Sequence, residues 1–391
     1  MYFNFVYDKF QNQTPYPNLA SEVDISNGYG NLWNQFPYTI PTRLLYYFQN
    51  HDYPARFFHI DNQLPSCSWY PIALGFYDFS IDYFALLNDQ VKNLVREQKL
   101  RILFYYHEGD NPYRQLEDLD QKCTQNKLPL SYKFITGNTA AENIERFIYF
   151  PDHELFYWKA NRQHAPLPCS MEIRKYDFTA LVRTHKWWRA TIMADLHRNG
   201  LLNNSMWSYG VEQTDDNFLD NPIEIDSLPG LRTYLSKFMH HTPYRCDDLD
   251  STKHNTHHIL VPEHFQDSYI HIVVETFFDV DQSNGTFLTE KVFKPIKHGQ
   301  PFILVGPAGG LNQLRKLGYK TFDNIIDPTY DTITNNTHRW MYIQDLIKKL
   351  KKQNLQELFE QCQADILHNQ LHFVSSKYNR LKKLQEQLNA S

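Results

Sequence analysis

His271-Ile272-Val273-Val274-Glu275-Thr276, Gly285-Thr286-Phe287-Leu288-Thr289-Glu290-Lys291-Val292-Phe293-Lys294-Pro295-Ile296 and Gln300-Pro301-Phe302-Ile303-Leu304-Val305-Gly306 settle the architecture of this chain. Short apolar runs closed by polar or glycine residues read as buried strands, here 269–275 and 301–305, with a helix over 289–299 between them. A Gly-rich turn, Val305-Gly306-Pro307-Ala308-Gly309-Gly310-Leu311, then leads into a helix over 311–317. Alternation of this kind predicts a parallel sheet with helices on both faces.

Working upstream, Asp177-Phe178-Thr179-Ala180-Leu181-Val182-Arg183 reads as a strand, and Lys186 to Asn199 as a helix stopped by Gly200. The polar, proline-bearing run from Asn161 to Pro168 reads as a connector and sets the domain boundary. Before it, Asp82 to Lys99 carries Phe84, Leu86, Leu87, Val91, Leu94 and Val95 at helical spacing and leads into the strand Leu100 to Tyr106. A helix over 113–127 and strands at 132–135 and 147–150 extend the same sheet. Residues 1 to about 80 mix short strands and loops. From about 340 to 389 the pattern is helical throughout, and no internal repeat is visible. The expected division is an N-terminal domain over 1–165, a C-terminal domain over 166–345 and a helical tail over 346–391.

Composition fits this plan. With 391 residues the chain suits two domains of about 100–200 residues each, and 27 Phe, 26 Tyr and 7 Trp supply apolar mass for two cores. The five cysteines, Cys67, Cys123, Cys169, Cys246 and Cys362, are scattered and form no CxxC, which argues against a disulfide framework or a structural zinc. No basic segment followed by an apolar run opens the chain, and no 18 consecutive apolar residues occur, so a cytosolic protein without a membrane span is expected. The net charge of -5 speaks against nucleic acid as partner, since phosphate neutralisation demands a basic surface.

In an open parallel sheet, ligands bind beyond the carboxyl ends of strands, so chemistry is sought there. Thr289, Glu290 and Lys291 open a helix, where free amides and the positive dipole end suit phosphate; the alternative is a capped helix with Lys291 in solvent. Arg183-Thr184-His185-Lys186-Trp187-Trp188-Arg189 joins a strand to a helix with Arg183, Lys186 and Arg189 as cations, and a diphosphate suits the guanidinium fork. The alternative there is surface charge around a Trp-Trp anchor. Tyr105-Tyr106-His107-Glu108-Gly109-Asp110-Asn111-Pro112 offers Glu108, or His107 or Asp110, as a proton acceptor, or else is an ordinary polar loop. The Gly-rich turn lacks both GxGxxG and GK[ST], so a tight turn is expected rather than a phosphate cradle.

The run Glu275 … Phe287-Leu288-Thr289-Glu290-Lys291 … Gln300-Pro301-Phe302-Ile303-Leu304-Val305-Gly306 resembles the donor-site signature of the family 10 α1,3/4-fucosyltransferases. The resemblance covers about 35 residues in detail. It implies a GT-B-like fold of two Rossmann-like α/β domains facing a cleft, with a nucleotide sugar as donor and a glycan or small molecule as acceptor. It implies that Glu290 binds the ribose, that Lys291 and Arg189 neutralise the pyrophosphate, and that Glu108 is the base of an inverting, metal-independent transfer. Arg183, Lys186, Glu275 and Thr289 would support the donor. Thr276 stands where that family has Asn, and Phe287 where it has Tyr, so the resemblance speaks for nucleotide-sugar transfer more than for GDP-fucose.

No cofactor or metal is expected beside that co-substrate. Two other readings stay open. Asp279-Val280-Asp281 is a literal DxD, and Asp279 with Asp281 could hold a divalent cation in a GT-A-type transferase. The aromatic N-terminal region could instead belong to a non-catalytic carbohydrate-binding protein. His240, His241, His254, His257 and His258 match no zinc spacing and read as a solvated loop.

Overall fold

The computed structural model describes residues 3–7, 55–74, 77–160, 172–212, 218–244, 263–279 and 284–390. By its internal contacts the chain divides into two units, Met1–Asp152 with Lys377–Ser391, and His153–Ser376. The connector expected around 160–170 lies mostly outside the described residues, as do Asp281, His254, His257 and His258.

In the first unit, β1 (Phe3–Tyr7), β2 (Ala55–His59), β3 (Ser68–Leu74), β4 (Arg101–Tyr106), β5 (Tyr132–Thr136) and β6 (Phe147–Tyr149) form one sheet in the order β2-β1-β3-β4-β5-β6. Every pairing is parallel. The apolar run of β4 is buried from Ile102 to Tyr106, as a central strand requires. Phe104 packs edge-on against Phe84 at 5.4 Å, in a core with Val91, Val95, Ile102 and Phe134.

The helix before β4 is shorter than its periodicity predicts: α1 spans Asp89–Arg96. Asp82 Oδ1 accepts the amides of Phe84 (3.1 Å) and Ala85 (3.0 Å), which closes a local turn in place of a helical one. Asn88 then caps the true helix by accepting Val91 N at 2.8 Å. α2 (Pro112–Gln125) starts as its sequence prescribes, with Asn111 as cap and Pro112 at the first helical position.

The second unit includes α3 (Asp152–Ala160) from His153 onward. Its sheet holds β7 (Tyr176–Thr184), β8 (Met206–Glu212), β9 (Ser268–Val274) and β10 (Phe302–Val305) in the order β10-β9-β7-β8, again all parallel. All seven residues of β9 are buried. α4 (Trp187–Arg198) follows β7, and α5 (Leu231–His240) follows β8. The short α6 (Glu263–Gln266) precedes β9, α7 (Glu290–Lys297) links β9 to β10, and α8 (Gly310–Lys316) follows β10. Gly200 has φ +67°, so the helix α4 ends where its sequence stops it.

The C-terminal region is not helical throughout. It comprises α9 (Asn336–Leu350), α10 (Leu355–Gln361) and α11 (Gln363–Asn389). The first break follows Leu350, and Asn354 then caps α10 by accepting Gln356 N at 3.2 Å. By the same division of contacts, α9 and α10 lie in the second unit, and α11 has residues in both. No helix among the described residues is long and apolar enough to cross a membrane.

Candidate functional site

The strand order of the second unit decides where a ligand can sit. From β7 the chain moves outward to β8, then returns to the other side of β7 with β9. Connections leaving the carboxyl ends of β7 and β9 therefore part in opposite directions and open a crevice at this switch point. His185, Lys186 and the start of α4 come from one side; Glu275, Thr276 and the start of α7 come from the other.

Arg189, on the first turn of α4, is 4% exposed and spans the two strand ends. It donates to the Glu275 carbonyl through Nε at 3.1 Å and Nη2 at 2.5 Å, and to the Thr184 carbonyl through Nη1 at 3.2 Å. The structure thus places this guanidinium on main-chain oxygens, where it fastens the end of β7 to the end of β9. A second buried arginine performs a similar task further along the edge. Arg339 of α9 donates to Gly306 O through Nε at 3.2 Å and also to Phe278 O, joining the loops after β10 and β9. Burial, offset by the charges of Asp279 and Asp331, brings the Arg339 guanidinium down to about 10.

Glu275 is fully buried and fixes the opening of α7. Its carboxylate accepts Thr289 N at 3.2 Å, Thr289 Oγ1 at 2.6 Å and Thr276 N at 3.2 Å. Thr289 in turn accepts Lys291 N at 3.4 Å, the N-cap that its sequence position predicts. On this frame two ammonium groups meet. Lys186 Nζ donates to Thr276 O at 3.0 Å, and Lys291 Nζ donates to Thr276 Oγ1 at 3.2 Å and Thr289 Oγ1 at 3.1 Å. The Lys186 ammonium also stands 5.0 Å from the centre of the Phe277 ring.

Glu290 is 8% exposed, with Lys291 Nζ 3.3 Å from Oε1 and His153 Nδ1 3.4 Å from Oε2. Burial alone would push its carboxyl up; Lys291, His153 and Lys294 overcome this and hold it well below the usual carboxylate range. Lys294 follows one turn later. Desolvation, offset by Glu290 and reinforced by Lys291 and Arg183, lowers its ammonium to about 8. Lys291 and Lys294 thus act on the Glu290 carboxylate, Arg183 adds its charge to theirs, and Lys186 and Arg189 sit on the neighbouring main-chain carbonyls of Thr276 and Glu275. An anion entering here relieves like-charge repulsion at little cost in reorganisation.

Phe287 is fully buried and meets the His153 ring edge-on at 5.2 Å, so the position needs no phenol hydroxyl. Gly210 serves the same region from β8. A Cβ there would lie 2.1 Å from Arg183 O, at the irregular pairing of Val182 to Thr184 with β8, so only glycine lets the two strands approach. The Gly-rich turn after β10 carries its own anion: Asp331 accepts Leu311 N and Asn312 N, each at 2.9 Å, at the opening of α8.

In the first unit, Glu108 follows β4 in a loop held by the end of β5. Thr136 Oγ1 donates to Glu108 O at 2.9 Å, and Asn138 Nδ2 to Gly109 O at 2.8 Å. The Glu108 carboxylate is one-third exposed, with His107 Nε2 3.1 Å from Oε1. Asp110 is instead bound by the Tyr106 hydroxyl, whose own ionisation is suppressed by burial and by the Asp110 and Glu108 charges. The two carboxylates of this loop thus have different partners, an imidazole for Glu108 and a phenol hydroxyl for Asp110.

Lys294, His153 and Arg339 were not singled out by the sequence. Lys294 carried a signal, since it lies on the helix face of Glu290 and Lys291 at spacings of four and three. His153 and Arg339 carried none, because their partners are distant in the chain. Among the described residues no group of three or more metal-ligating side chains occurs. Asp279 has the Arg339 charge nearby, and Asp281 lies outside the described residues. No protein-family model, curated protein or solved structure matches the chain.

Proposed function

We propose that this protein is an inverting glycosyltransferase that moves a sugar from a nucleotide-sugar donor, with GDP-fucose among the candidates, to a hydroxyl of a glycan or small-molecule acceptor. The observation that carries the proposal is the convergence of Lys186 and Lys291 on the two oxygens of Thr276 at the β7/β9 switch point. Two ammonium groups sharing one residue suit two phosphates in succession, and the buried frame beneath them needs no rearrangement to receive a diphosphate.

In this reading Lys186 and Lys291 take the leaving diphosphate, Glu290 accepts hydrogen bonds from donor hydroxyls, and Arg189 acts beneath them as a positioning residue. Glu108 of the first unit takes the proton from the acceptor hydroxyl as that oxygen attacks the anomeric carbon and the diphosphate departs from the opposite face. The lysines supply the charge, so the reading asks no divalent cation of the site.

A melting-temperature panel of GDP-, UDP-, dTDP- and CMP-sugars tests it. A donor at about 100 times its Kd adds about 2.7 kcal/mol of stability, and Lys291→Ala should abolish that gain. If all four classes leave the melting temperature unchanged at millimolar concentration, the proposal fails.

A further inference from the structure

Beside the switch point, the second unit carries an open groove of about 390 Å³ between the chain after β8 and the start of α5. Its volume falls within the about 300–1,000 Å³ of small-molecule sites. The groove is tied to α4. Trp187 meets Phe218 edge-on at 5.0 Å, and Asn221 Nδ2 donates to Thr191 Oγ1 at 2.9 Å, so the groove lies along the helix whose N-cap is Lys186.

Its lining has two characters. Phe218 and Leu219 present carbon, Leu219 85% exposed, above the buried Ile223 and Ile225. Glu224, Ser227 and the Asp226–Arg232 pair present hydrogen-bonding groups, while Asn221 is held at both ends, its Nδ2 by Thr191 and its Oδ1 by Ile223 N at 3.1 Å. Asp226 and Arg232 are joined by two parallel bonds, Nε to Oδ1 at 2.7 Å and Nη2 to Oδ2 at 2.8 Å, while the Arg232 guanidinium stands 5.6 Å from the Phe218 ring centre. Asp226 is thereby neutralised in place. Glu224 accepts Ser227 Oγ at 3.1 Å through Oε2.

The geometry points to a saccharide subsite in this groove, sized for a neutral pyranose ring. A pyranose has an apolar C–H face and a rim of hydroxyls that both donate and accept, which matches an aromatic and aliphatic wall bordered by carboxylate, hydroxyl and guanidinium. An anionic ligand would meet the Glu224 carboxylate. A cationic peptide would find Asp226 already paired. The link between this subsite and sugar transfer rests on the function proposed above; the groove's affinity for sugar does not.

Saturation-transfer NMR on the full chain, with methyl glycosides of glucose, galactose, fucose and N-acetylglucosamine, tests the assignment, alongside nucleotide-induced melting shifts. At least one glycoside should bind saturably with a millimolar Kd. Phe218→Ala and the exposed-site variant Glu224→Gln should each weaken it about tenfold or more, whereas Lys291→Ala should leave it intact. The inference is overturned if no glycoside binds up to about 50 mM, well above the millimolar Kd expected. It is overturned equally if binding persists unchanged in Glu224→Gln, or if a lysine-rich peptide binds in place of every sugar. Loss of nucleotide shifts alone, with glycoside binding retained, would defeat the donor reading and leave the subsite standing.

Discussion

Arg189→Ala separates two roles that a single arginine could play. If the guanidinium brackets the sheet edge, its loss should appear chiefly as instability; if it serves a ligand, chiefly as weakened binding. The side chain is 4% exposed and bonds Glu275 O through two nitrogens and Thr184 O through a third. Hydrogen bonds to a charged donor contribute about 1.5–3 kcal/mol each, and a buried acceptor stripped of its donor costs about 1–3 kcal/mol. These contributions overlap because two bonds share one oxygen, so with two carbonyls left unpaired the expected loss is about 3–5 kcal/mol. Against about 5–15 kcal/mol for a whole domain, that is a large fraction. Arg189→Lys should recover part of it, since one ammonium can reach one of the two carbonyls.

The assay is denaturant unfolding combined with amide hydrogen exchange at the carboxyl ends of β7 and β9. Exchange should accelerate around Thr184 to Lys186 and around Glu275 and Thr276, because the two ends lose their common fastener. A stability loss below about 1 kcal/mol, within reach of ordinary surface substitutions, would refute the bracket. Joined to a lost nucleotide shift, that result would return Arg189 to the phosphate role its sequence position suggests.

Three further outcomes follow from the same geometry. Glu108→Gln should keep the nucleotide-induced melting shift and abolish sugar transfer, measured by nucleotide release in the presence of acceptor; full turnover would remove Glu108 from the mechanism. Gly210→Ala should cost about 3 kcal/mol in unfolding experiments, because its Cβ meets the Arg183 carbonyl rather than a side chain that could swing away. Lys294 should make donor binding pH-dependent: affinity is highest while it is charged and falls as pH rises through about 8, and calorimetric titration of Lys294→Met should show that step removed.

The legible parts of this molecule were those set by local pattern. The apolar runs of β4 and β9 named buried strands, and Gly200 marked a helix end, because each depends on neighbours within a few residues. The helix α1 was overextended for the same reason in reverse. Asp82 and Asn88 are both competent caps, and only the turn at Phe84 and Ala85 shows that the second one starts the helix. Thr289 and Glu275 could be assigned to one neighbourhood from their motif, yet the direction of Arg189 could not. An arginine on a first helical turn can face a ligand or a carbonyl, and the carbonyl it faces belongs to Glu275, far along the chain.

Under the proposed function, the charge of Lys294 serves binding and opposes stability. Its folded pKa lies near 8, below the ordinary lysine value of 10.5. Below pH 8 both native and unfolded chains carry the proton, and the native state bears the full cost of a desolvated charge beside Lys291 and Arg183. Between pH 8 and 10.5 the unfolded chain holds the proton and the native chain does not, so the contribution of this group to stability rises with pH. Affinity for an anion changes in the opposite sense over the same interval. If the proposed donor binds here, Lys294 should therefore give opposite pH slopes for melting without nucleotide and for the shift that nucleotide induces. Parallel slopes in the two measurements would mean that Lys294 does not sense the ligand, and the diphosphate would then have to lie on the Lys186 side of Thr276 alone.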